Sequence, residues 1–285
     1  MASTRHCAGS AIRPEILKSS KAITVIYKTV KVQFQESVCF LQIDRPEANN
    51  TISDQLVAEC NHVLDTCEES ANIVVLSGSP EVFCFGADFK AIASASMKSH
   101  EHDDGPGPMY DLWLRLAAGP YVTIAHVRGK TNAGGIGFVA ASDIALASET
   151  AQFSLSELLF GLYPACVLPF LIRRIGFQKA HYLTLMTQPI SAKQACEWGL
   201  VDAFEPQSDL LVRRHLQRLR RLSKMAIRSY KTYMSRINLP LQELKSPAVA
   251  ANREMFSDPG NLRGITRYVE QGLFPWEKAM AAGAD

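Results

Sequence analysis

The stretch Val122-Thr-Ile-Ala-His-Val-Arg-Gly-Lys-Thr-Asn-Ala-Gly-Gly-Ile-Gly137 decides the fold class, because an apolar run passes directly into a glycine-rich turn. The run Val122–Val127 predicts a short strand, and the small residues from Gly134 onward predict the start of a helix. A second apolar strand is expected at residues 144–147. Short strands that alternate with helices predict an α/β protein.

The same alternation begins earlier in the chain. The run Val38–Ile43 predicts a strand, and Ser53 is a suitable N-cap for the helix that follows. An apolar face at helical spacing is formed in that helix by Leu56, Val57, Cys60, Val63, Leu64 and Cys67. The continuously apolar residues 73–76 then predict a strand that is covered on both sides.

Later in the chain, Ser191-Ala-Lys-Gln194 has the pattern of a capping box, and Gly199 is typical of a helix C-cap. Leu200-Val201 is interpreted as the next short strand. From about residue 208 the strand signals fade and helical patterns dominate. We therefore divide the chain into a loose tail (1–20), an α/β core (21–207) and a C-terminal helical region (208–285).

The composition is that of an ordinary globular protein, since 47% of the 285 residues are hydrophobic and 20% are charged. No apolar stretch approaches the roughly 18 residues that a membrane-spanning helix needs, so no membrane association is expected. The first twenty residues lack the apolar segment of a secretory signal peptide, which favours a cytoplasmic location. The seven cysteines show no zinc-ligand spacing and are interpreted as reduced thiols.

Positive charge is concentrated in the helical region, although the net charge is only +2. Between Asp209 and Glu243 there is no acidic residue, and the basic residues are Arg213, Arg214, Arg218, Arg220, Arg221, Lys224, Arg228, Lys231 and Arg236. Such a segment can dock an anionic partner, or it can be a solvated helix face. Nucleic acid is not favoured as the partner, because aromatic stacking residues are sparse there.

Two turns are candidates for binding a carbonyl oxygen. In Phe85-Gly-Ala-Asp-Phe-Lys90 a strand enters a helix, and the N–H near Ala87 is a possible donor; the alternative is a plain turn. In the second turn, Gly134 and Gly135 let the backbone approach a ligand at a helix N-terminus. This turn also fits a dinucleotide fingerprint, which we discount because at least two β-to-α units precede it.

A third candidate is the segment Phe153-Ser-Leu-Ser-Glu-Leu-Leu-Phe-Gly161. Ser154 and Glu157 have capping-box spacing, so the carboxylate could simply close a helix N-terminus. Alternatively, Glu157 lies at the mouth of an apolar pocket, where desolvation raises its pKa toward general acid/base use.

Taken in this order, the three segments resemble the enoyl-CoA hydratase/isomerase, or crotonase, superfamily. The resemblance implies a crotonase-type spiral of ββα units with a C-terminal helical region for oligomerisation, and an assembly as a trimer or a dimer of trimers. It also implies that Ala87 and Gly134 supply the oxyanion-hole N–H groups and that Glu157 is a catalytic glutamate. The position of a further glutamate in the two-glutamate hydratases is Gly137 here, which argues against simple enoyl-CoA hydration.

A closer resemblance is carried by Gly129 to Gly137, by Phe153 to Arg174 and by Phe274-Pro-Trp-Glu277. These segments are similar to the dehydratases of bacterial polyketide β-branching cassettes. That resemblance implies removal of water from a 3-hydroxy-3-methylglutaryl group on an acyl carrier protein, without a metal or redox cofactor. It also gives the basic segment around Arg213, Arg214 and Arg218 an acidic carrier protein as its partner.

The remaining roles are expectations within this resemblance. Asn132 and Tyr163 are candidates for assisting the departing hydroxyl, and Lys130 for binding the second carboxylate of the substrate. Lys90 is assigned to the pantetheine phosphate or to solvent, and Cys84 and Cys166 to packing. The alternatives are a sister decarboxylase, an acyl-CoA hydratase and a non-catalytic thioester-binding subunit.

Overall fold

The computed structural model describes residues 26–95, 105–238 and 240–278, and within these ranges it contains two sheets surrounded by helices. The predicted tail (1–20) lies outside the described residues. The α/β class predicted from the sequence is confirmed, since parallel strand pairs joined through helices dominate both sheets.

The larger sheet has six strands, and only its edge pair is antiparallel. In spatial order its strands are β1 (Val30–Gln35), β2 (Val38–Ile43), β3 (Ile73–Ser77), β5 (Val122–Val127), β7 (Ile144–Ser148) and β10 (Ala203–Glu205). The smaller sheet contains β4 (Val82–Cys84), β6 (Lys130–Asn132), β8 (Gln152–Ser154) and β9 (Ile190–Ser191). Strands β4, β6 and β8 run parallel to one another.

The helices of the α/β core are α1 (Asp54–Ser70), α2 (Phe89–Ala95), α3 (Gly107–Ala118), α4 (Gly134–Ala141), α5 (Leu168–Ile175), α6 (Phe177–Met186) and α7 (Ala192–Trp198). Short 3-10 helices occur at Pro46–Ala48 and Glu157–Phe160. The C-terminal helices are α8 (Ser208–Leu219), α9 (Lys224–Ile237), α10 (Lys245–Ser257) and α11 (Pro259–Gln271).

Helix α1 forms because it has a capped first turn and one continuous apolar face. The Ser53 hydroxyl accepts a hydrogen bond from the Leu56 N–H at 3.2 Å, which caps the first turn. All six residues of the predicted apolar face are buried. Their burial fastens α1 to the inner face of the larger sheet, in the main hydrophobic core.

The central strands of the larger sheet are covered on both faces. Val74 and Leu76 of β3 belong to the main core, whereas Ile73 and Val75 face a second cluster with α8. The continuous apolar run of β3 is therefore explained by two packed layers, as predicted. Helix α8 closes the outer face of this sheet.

One strand was placed wrongly. Leu200-Val201 is not a strand, because the N–H groups of Leu200 and Val201 both donate to the Ala195 carbonyl and close the end of α7. Gly199, with φ of 82°, is the predicted C-cap. Strand β10 begins at Ala203, where it pairs with β7. The apolar character of Leu200 and Val201 reflects a buried turn.

Helix α9 is anchored to the core by the buried ammonium group of Lys231. The Lys231 ammonium donates to Asp143 Oδ2 at 2.6 Å and to the carbonyl oxygens of Tyr121 at 2.9 Å and Leu116 at 3.2 Å. Only 5% of the Lys231 side chain is exposed. Burial lowers the pKa of Lys231, and Asp143 opposes that shift. One of the predicted surface cations is thus a structural residue.

Candidate functional site

The three candidate segments meet at one edge of the smaller sheet. Ala87 follows β4, Gly134 follows β6, and Glu157 follows β8, and these strands are parallel neighbours in the order β4-β6-β8. The carboxyl ends of neighbouring parallel strands lie at the same edge, where open α/β sheets bind ligands. The fold therefore brings together the three segments that were singled out separately.

The first two turns are in direct contact. Gly86 has φ of 85°, and a Cβ atom added to it would lie 2.6 Å from the Ala133 Cβ and 3.0 Å from the Gly134 N. A Cβ atom added to Gly135 would lie 2.3 Å from the Cys84 carbonyl oxygen. Glycine is therefore required at both positions, as the prediction of close backbone approach implies for Gly135.

Two backbone N–H groups are left unpaired by this arrangement. Gly134 is the first residue of α4, so its N–H has no acceptor within the helix, and Ala87 sits in the turn between β4 and α2. Within the described ranges, neither N–H donates a hydrogen bond. Two neighbouring free donors, one of them at a helix N-terminus, can polarise a carbonyl oxygen.

The Glu157 carboxyl is the most unusual ionisable group near this edge. Its Oε2 atom has no accessible surface and no hydrogen-bond partner in the described part of the chain. Burial raises the pKa of Glu157 to about 7, although backbone hydrogen bonds from Glu157 and Ser156 oppose the shift. A carboxyl with this pKa can both accept and return a proton near neutral pH.

The capping-box alternative for Glu157 is not observed. The Ser154 hydroxyl donates to Asn132 Oδ1 at 2.9 Å instead of capping the 3-10 helix, and no side-chain cap bond is formed at that helix N-terminus. Asn132 Nδ2 in turn donates to Ser156 Oγ at 2.8 Å. Asn132 therefore contacts the segment that carries Glu157, and its amide group positions that segment.

The other predicted residues are placed less favourably. Tyr163 is 40% exposed, and its backbone N–H donates to Met255 Sδ on α10. Lys90 is exposed in the first turn of α2, three residues after Ala87. Lys130 is exposed at the amino end of β6, whereas Gly134 follows its carboxyl end. The position of Lys130 does not support contact with a substrate carboxylate.

The thiols near these segments are packing groups. Cys84 and Cys166 are buried, and burial raises the pKa of each thiol to about 12. Such thiols are protonated at neutral pH and are poor nucleophiles. No cluster of three or more His, Cys, Asp or Glu suited to a metal is found among the described residues. No described helix is long and apolar enough to span a membrane.

The sequence did not predict the cluster of aromatic side chains that packs against the segment carrying Glu157. Phe160, at the end of the Glu157 3-10 helix, contacts Phe89 of α2 and Tyr268 of α11 at ring-centroid distances of 5.0 and 5.1 Å. Phe274 stacks on Trp276 at 4.7 Å and also contacts Phe160. The end of the helical region thus packs against the Ala87 and Glu157 segments of the same chain.

The basic helix lies on a different part of the molecule. Helix α8 buries its apolar residues against the outer face of the larger sheet and exposes Arg213 and Arg218. Arg214 forms an ion pair with Glu205. Two further cations of the segment also pair within the chain, Arg220 with Glu36 at 3.7 Å and Arg228 with Glu69 at 3.2 Å. Fewer cations of this segment are therefore available to a partner than the sequence implies.

Paired backbone donors and one desolvated carboxyl at the strand ends are features suited to an enzyme that polarises an acyl carbonyl. The chain belongs to the enoyl-CoA hydratase/isomerase family, whose model matches residues 33–279. The predicted crotonase-type fold and the prediction of an enzyme of the hydratase type are confirmed by this match.

Among its relatives is the bacillaene synthase dehydratase PksH of Bacillus subtilis, which is 61% identical over 254 residues, covering 89% of this chain and 98% of that protein. The crystal structure of that Bacillus protein superposes with a TM-score of 0.86, covering 88% of this chain and all of the other. The predicted resemblance to polyketide dehydratases is thereby confirmed.

More distant relatives share the fold with lower identity. A hydroxycinnamoyl-CoA hydratase-lyase of Pseudomonas fluorescens is 31% identical over 198 residues, covering 65% of this chain and 69% of that protein. An enoyl-CoA hydratase/isomerase structure from Acinetobacter baumannii is 22% identical and has a TM-score of 0.77, covering 86% of this chain and all of the other. The latter likeness concerns the fold alone.

Proposed function

We propose that this protein is a lyase of polyketide biosynthesis that removes water from a 3-hydroxy-3-methylglutaryl thioester on an acyl carrier protein, giving the 3-methylglutaconyl thioester. The desolvated carboxyl of Glu157, whose Oε2 atom has no partner among the described residues, carries this proposal together with the two free backbone N–H groups at the same sheet edge. The high identity to a polyketide dehydratase over nearly its whole length supports it.

In this proposal, elimination begins with acidification of C2. The Ala87 and Gly134 N–H groups bind the thioester oxygen and stabilise the negative charge that develops on it. Glu157 takes the C2 proton, and the electron pair of the broken C–H bond forms the enolate. Loss of either N–H donor is expected to slow the reaction by roughly 10²–10³.

The second half of the reaction expels the hydroxyl. The enolate collapses to form the C2=C3 double bond, the C3–O bond breaks, and the oxygen leaves with the proton that Glu157 carries, as water. One carboxyl serves both transfers because its pKa is raised to about 7. The step is redox-neutral and needs no metal or redox cofactor.

The thioester is proposed to arrive on an acidic carrier protein rather than on free CoA. Arg213 and Arg218 are exposed on α8 and form no ion pair within the described ranges, so they are available to a partner. Arg214 would have to exchange Glu205 for a carrier carboxylate. Lys90, close to the Ala87 turn, is the proposed contact for the pantetheine phosphate. A cytoplasmic homotrimer or dimer of trimers completes the proposal.

Mass spectrometry of the loaded carrier tests the reaction. Wild-type protein is expected to remove one water from carrier-bound 3-hydroxy-3-methylglutarate, and Glu157→Gln is expected to leave the mass unchanged. Loss of water followed by carbon dioxide would assign the decarboxylase reaction instead. No mass change on either carrier or CoA substrate would favour a non-catalytic thioester-binding subunit.

A charge reversal tests the carrier surface separately. Arg213→Glu with Arg218→Glu is expected to raise KM for the carrier-bound substrate and to leave turnover of the CoA thioester unchanged. The same reversal at Arg236, on α9, is the control. Equal KM values on the carrier-bound substrate for the wild type, the double variant and the Arg236 variant would show that α8 does not dock the carrier.

A further inference from the structure

The Ala87 turn is held in place by the segment that follows β2, residues 45–52. The Ile52 N–H donates to the Gly86 carbonyl oxygen at 2.7 Å, and an isolated parallel bridge joins Ile52 to Ala87. The side chain of Ile52 also reaches the second turn, since a Cβ atom added to Gly134 would lie 2.8 Å from Ile52 Cδ1. One segment of the chain therefore borders both candidate oxyanion donors.

Asp88, the residue directly after Ala87, binds two side chains of this segment. The Arg45 Nη2 donates to Asp88 Oδ2 at 3.2 Å, and the Thr51 hydroxyl donates to the same oxygen at 3.1 Å. The other carboxylate oxygen, Oδ1, accepts the Ala91 N–H at 3.1 Å and caps the first turn of α2. Both oxygens of Asp88 are thus bonded, so the residue that follows the Ala87 donor is fixed from two sides.

Arg45 is itself held by the backbone of its own segment. Its Nη1 donates to the Thr51 carbonyl oxygen, and its backbone N–H donates to Asn50 Oδ1 at 2.7 Å. Asn50 Nδ2 in turn donates to the carbonyl oxygen of Val82 in β4 at 2.9 Å. Only 15% of the Arg45 side chain and 16% of the Asp88 side chain are exposed, so water screens this ion pair less than a surface pair.

The charge of Asp88 matters because the neighbouring turn is proposed to stabilise an anion. As the thioester oxygen becomes an enolate, an unpaired carboxylate one residue from the Ala87 N–H would repel it. Arg45 neutralises that carboxylate. Glu47 also approaches the Arg45 side chain, at 4.0 Å, but the Glu47 side chain is 72% exposed and is a weaker partner.

We propose that Arg45 is a positioning residue of the oxyanion hole, which acts through Asp88 on the direction of the Ala87 N–H and on the charge beside it. This inference rests on the proposed function. Arg45 does not touch the substrate and transfers no proton. Its loss is expected to weaken stabilisation of the transition state and to change ground-state binding little, because oxyanion contacts strengthen as charge develops.

Infrared spectroscopy of a bound thioester measures the polarisation of the carbonyl directly, since stronger hydrogen bonds to its oxygen lower the stretching frequency. The protein is Glu157→Gln, which is expected to bind without turnover. The ligand is 3-hydroxy-3-methylglutaryl pantetheine, isotope-labelled at its thioester carbonyl. At saturating ligand, Arg45→Met in this background should bring the frequency back toward its value in water, and Arg45→Lys, which keeps the charge, should do so less.

An unchanged frequency in the Arg45→Met protein would overturn the inference and leave the proposed function intact. A carbonyl frequency in the Glu157→Gln parent equal to that in water would overturn the inference together with the proposed oxyanion hole. Absence of dehydration by the wild-type protein would refute the proposed function, and the infrared comparison would still judge the role of Arg45.

Steady-state kinetics tests whether Arg45 acts through Asp88. Arg45→Met should lower kcat by roughly 10–10², with KM little changed, because one oxyanion donor is misdirected. In an Asp88→Asn background the same change should lower kcat less than about threefold, since the partner through which Arg45 acts is gone. Lys31→Met, which breaks an exposed pair with Asp44 on β1, is the control and should leave kcat unchanged.

Equal factors in the two backgrounds would overturn the inference, and so would a lowered Tm with unchanged kcat, which would assign Arg45 to folding alone. Thr51→Val is the milder variant if Arg45→Met does not fold. It removes one hydroxyl bond to Asp88 and should lower kcat up to roughly tenfold with an unchanged Tm. Full activity of the Thr51 variant would overturn the inference in that case.

Discussion

The Glu157 carboxyl and the Lys231 ammonium are both desolvated ionisable groups, yet their surroundings are opposite. Lys231 donates to two carbonyl oxygens and a carboxylate, so every direction of its ammonium group has an acceptor. Glu157 Oε2 has no partner among the described residues, and burial raises its pKa to about 7. A buried charge whose hydrogen bonds are all made stabilises the fold, whereas a desolvated carboxyl oxygen without a partner is a candidate for proton transfer.

The largest expected effect separates activity from stability at Glu157. Glu157→Gln keeps the shape of the side chain and removes the proton acceptor, so kcat should fall by roughly 10²–10⁴. The free energy of unfolding at pH 8 should not decrease, because the change removes a desolvated carboxylate. Steady-state rates and urea unfolding measure the two quantities. Glu149→Gln, an exposed carboxylate removed in the same way, is the control and should change neither quantity.

The second prediction is a loss of stability with little change in activity. Lys231→Met leaves the carbonyl oxygens of Leu116 and Tyr121 without their donor and the partly exposed Asp143 without its cation, and should lower the free energy of unfolding by about 3 kcal/mol, measured by urea denaturation. The kcat of the folded fraction should change little. Arg228→Met on the same helix breaks the exposed pair with Glu69 and should cost less than about 1 kcal/mol. Equal losses for the two variants would contradict the role assigned to Lys231.

A pH series sharpens the comparison further. Because the pKa of Glu157 is raised from 4.5 to about 7 in the folded protein, wild type should lose up to about 3 kcal/mol relative to Glu157→Gln as pH rises from about 4.5 to about 7. Over the same interval kcat should rise, since the carboxylate is the base. Unfolding curves of both proteins at pH 5 and pH 8 test this, and parallel behaviour would contradict the raised pKa.

The smallest predicted effect concerns the support of Glu157. Ser156→Ala removes the hydroxyl that accepts from Asn132 Nδ2 and should reduce kcat up to roughly tenfold, with KM little changed. Ser148→Ala, which removes a hydroxyl paired with Thr150 away from the site, is the control. Unchanged kcat in the Ser156 variant would show that the Asn132 amide does not position the carboxyl.

Local sequence signals predicted most of the core. Periodicity located α1 because one face of this helix is buried. Continuous apolar runs located β2, β3 and β5 because these central strands are covered on both faces of the sheet. The misplaced strand at Leu200-Val201 has the same apolar character, but its backbone closes a helix end. Pattern alone does not distinguish a buried turn from a buried strand.

For the candidate site, the motifs located Ala87, Gly134 and Glu157, since each follows a strand in the chain. The sequence did not reveal that Trp113, more than twenty residues before Gly137, fills the space beside that glycine through the packing of α3 on α4. The internal pairing of Arg214, Arg220 and Arg228 was also invisible, because their acidic partners are distant in sequence or lie outside the basic segment.

Trp113 of α3 fills the space beside Gly137 of α4, because a Cβ atom added to that glycine would lie 2.4 Å from Trp113 Cζ2. This contact limits how the enzyme can be changed by mutation. A glutamate introduced at position 137 alone would collide with the indole, and a smaller residue at position 113 alone would open a cavity beside α4. Each single change destabilises the packing of α3 on α4, and only the two changes together preserve it. Conversion of this arrangement into a two-glutamate site therefore requires positions 113 and 137 to change together, because an intermediate with only one of the two changes is destabilised.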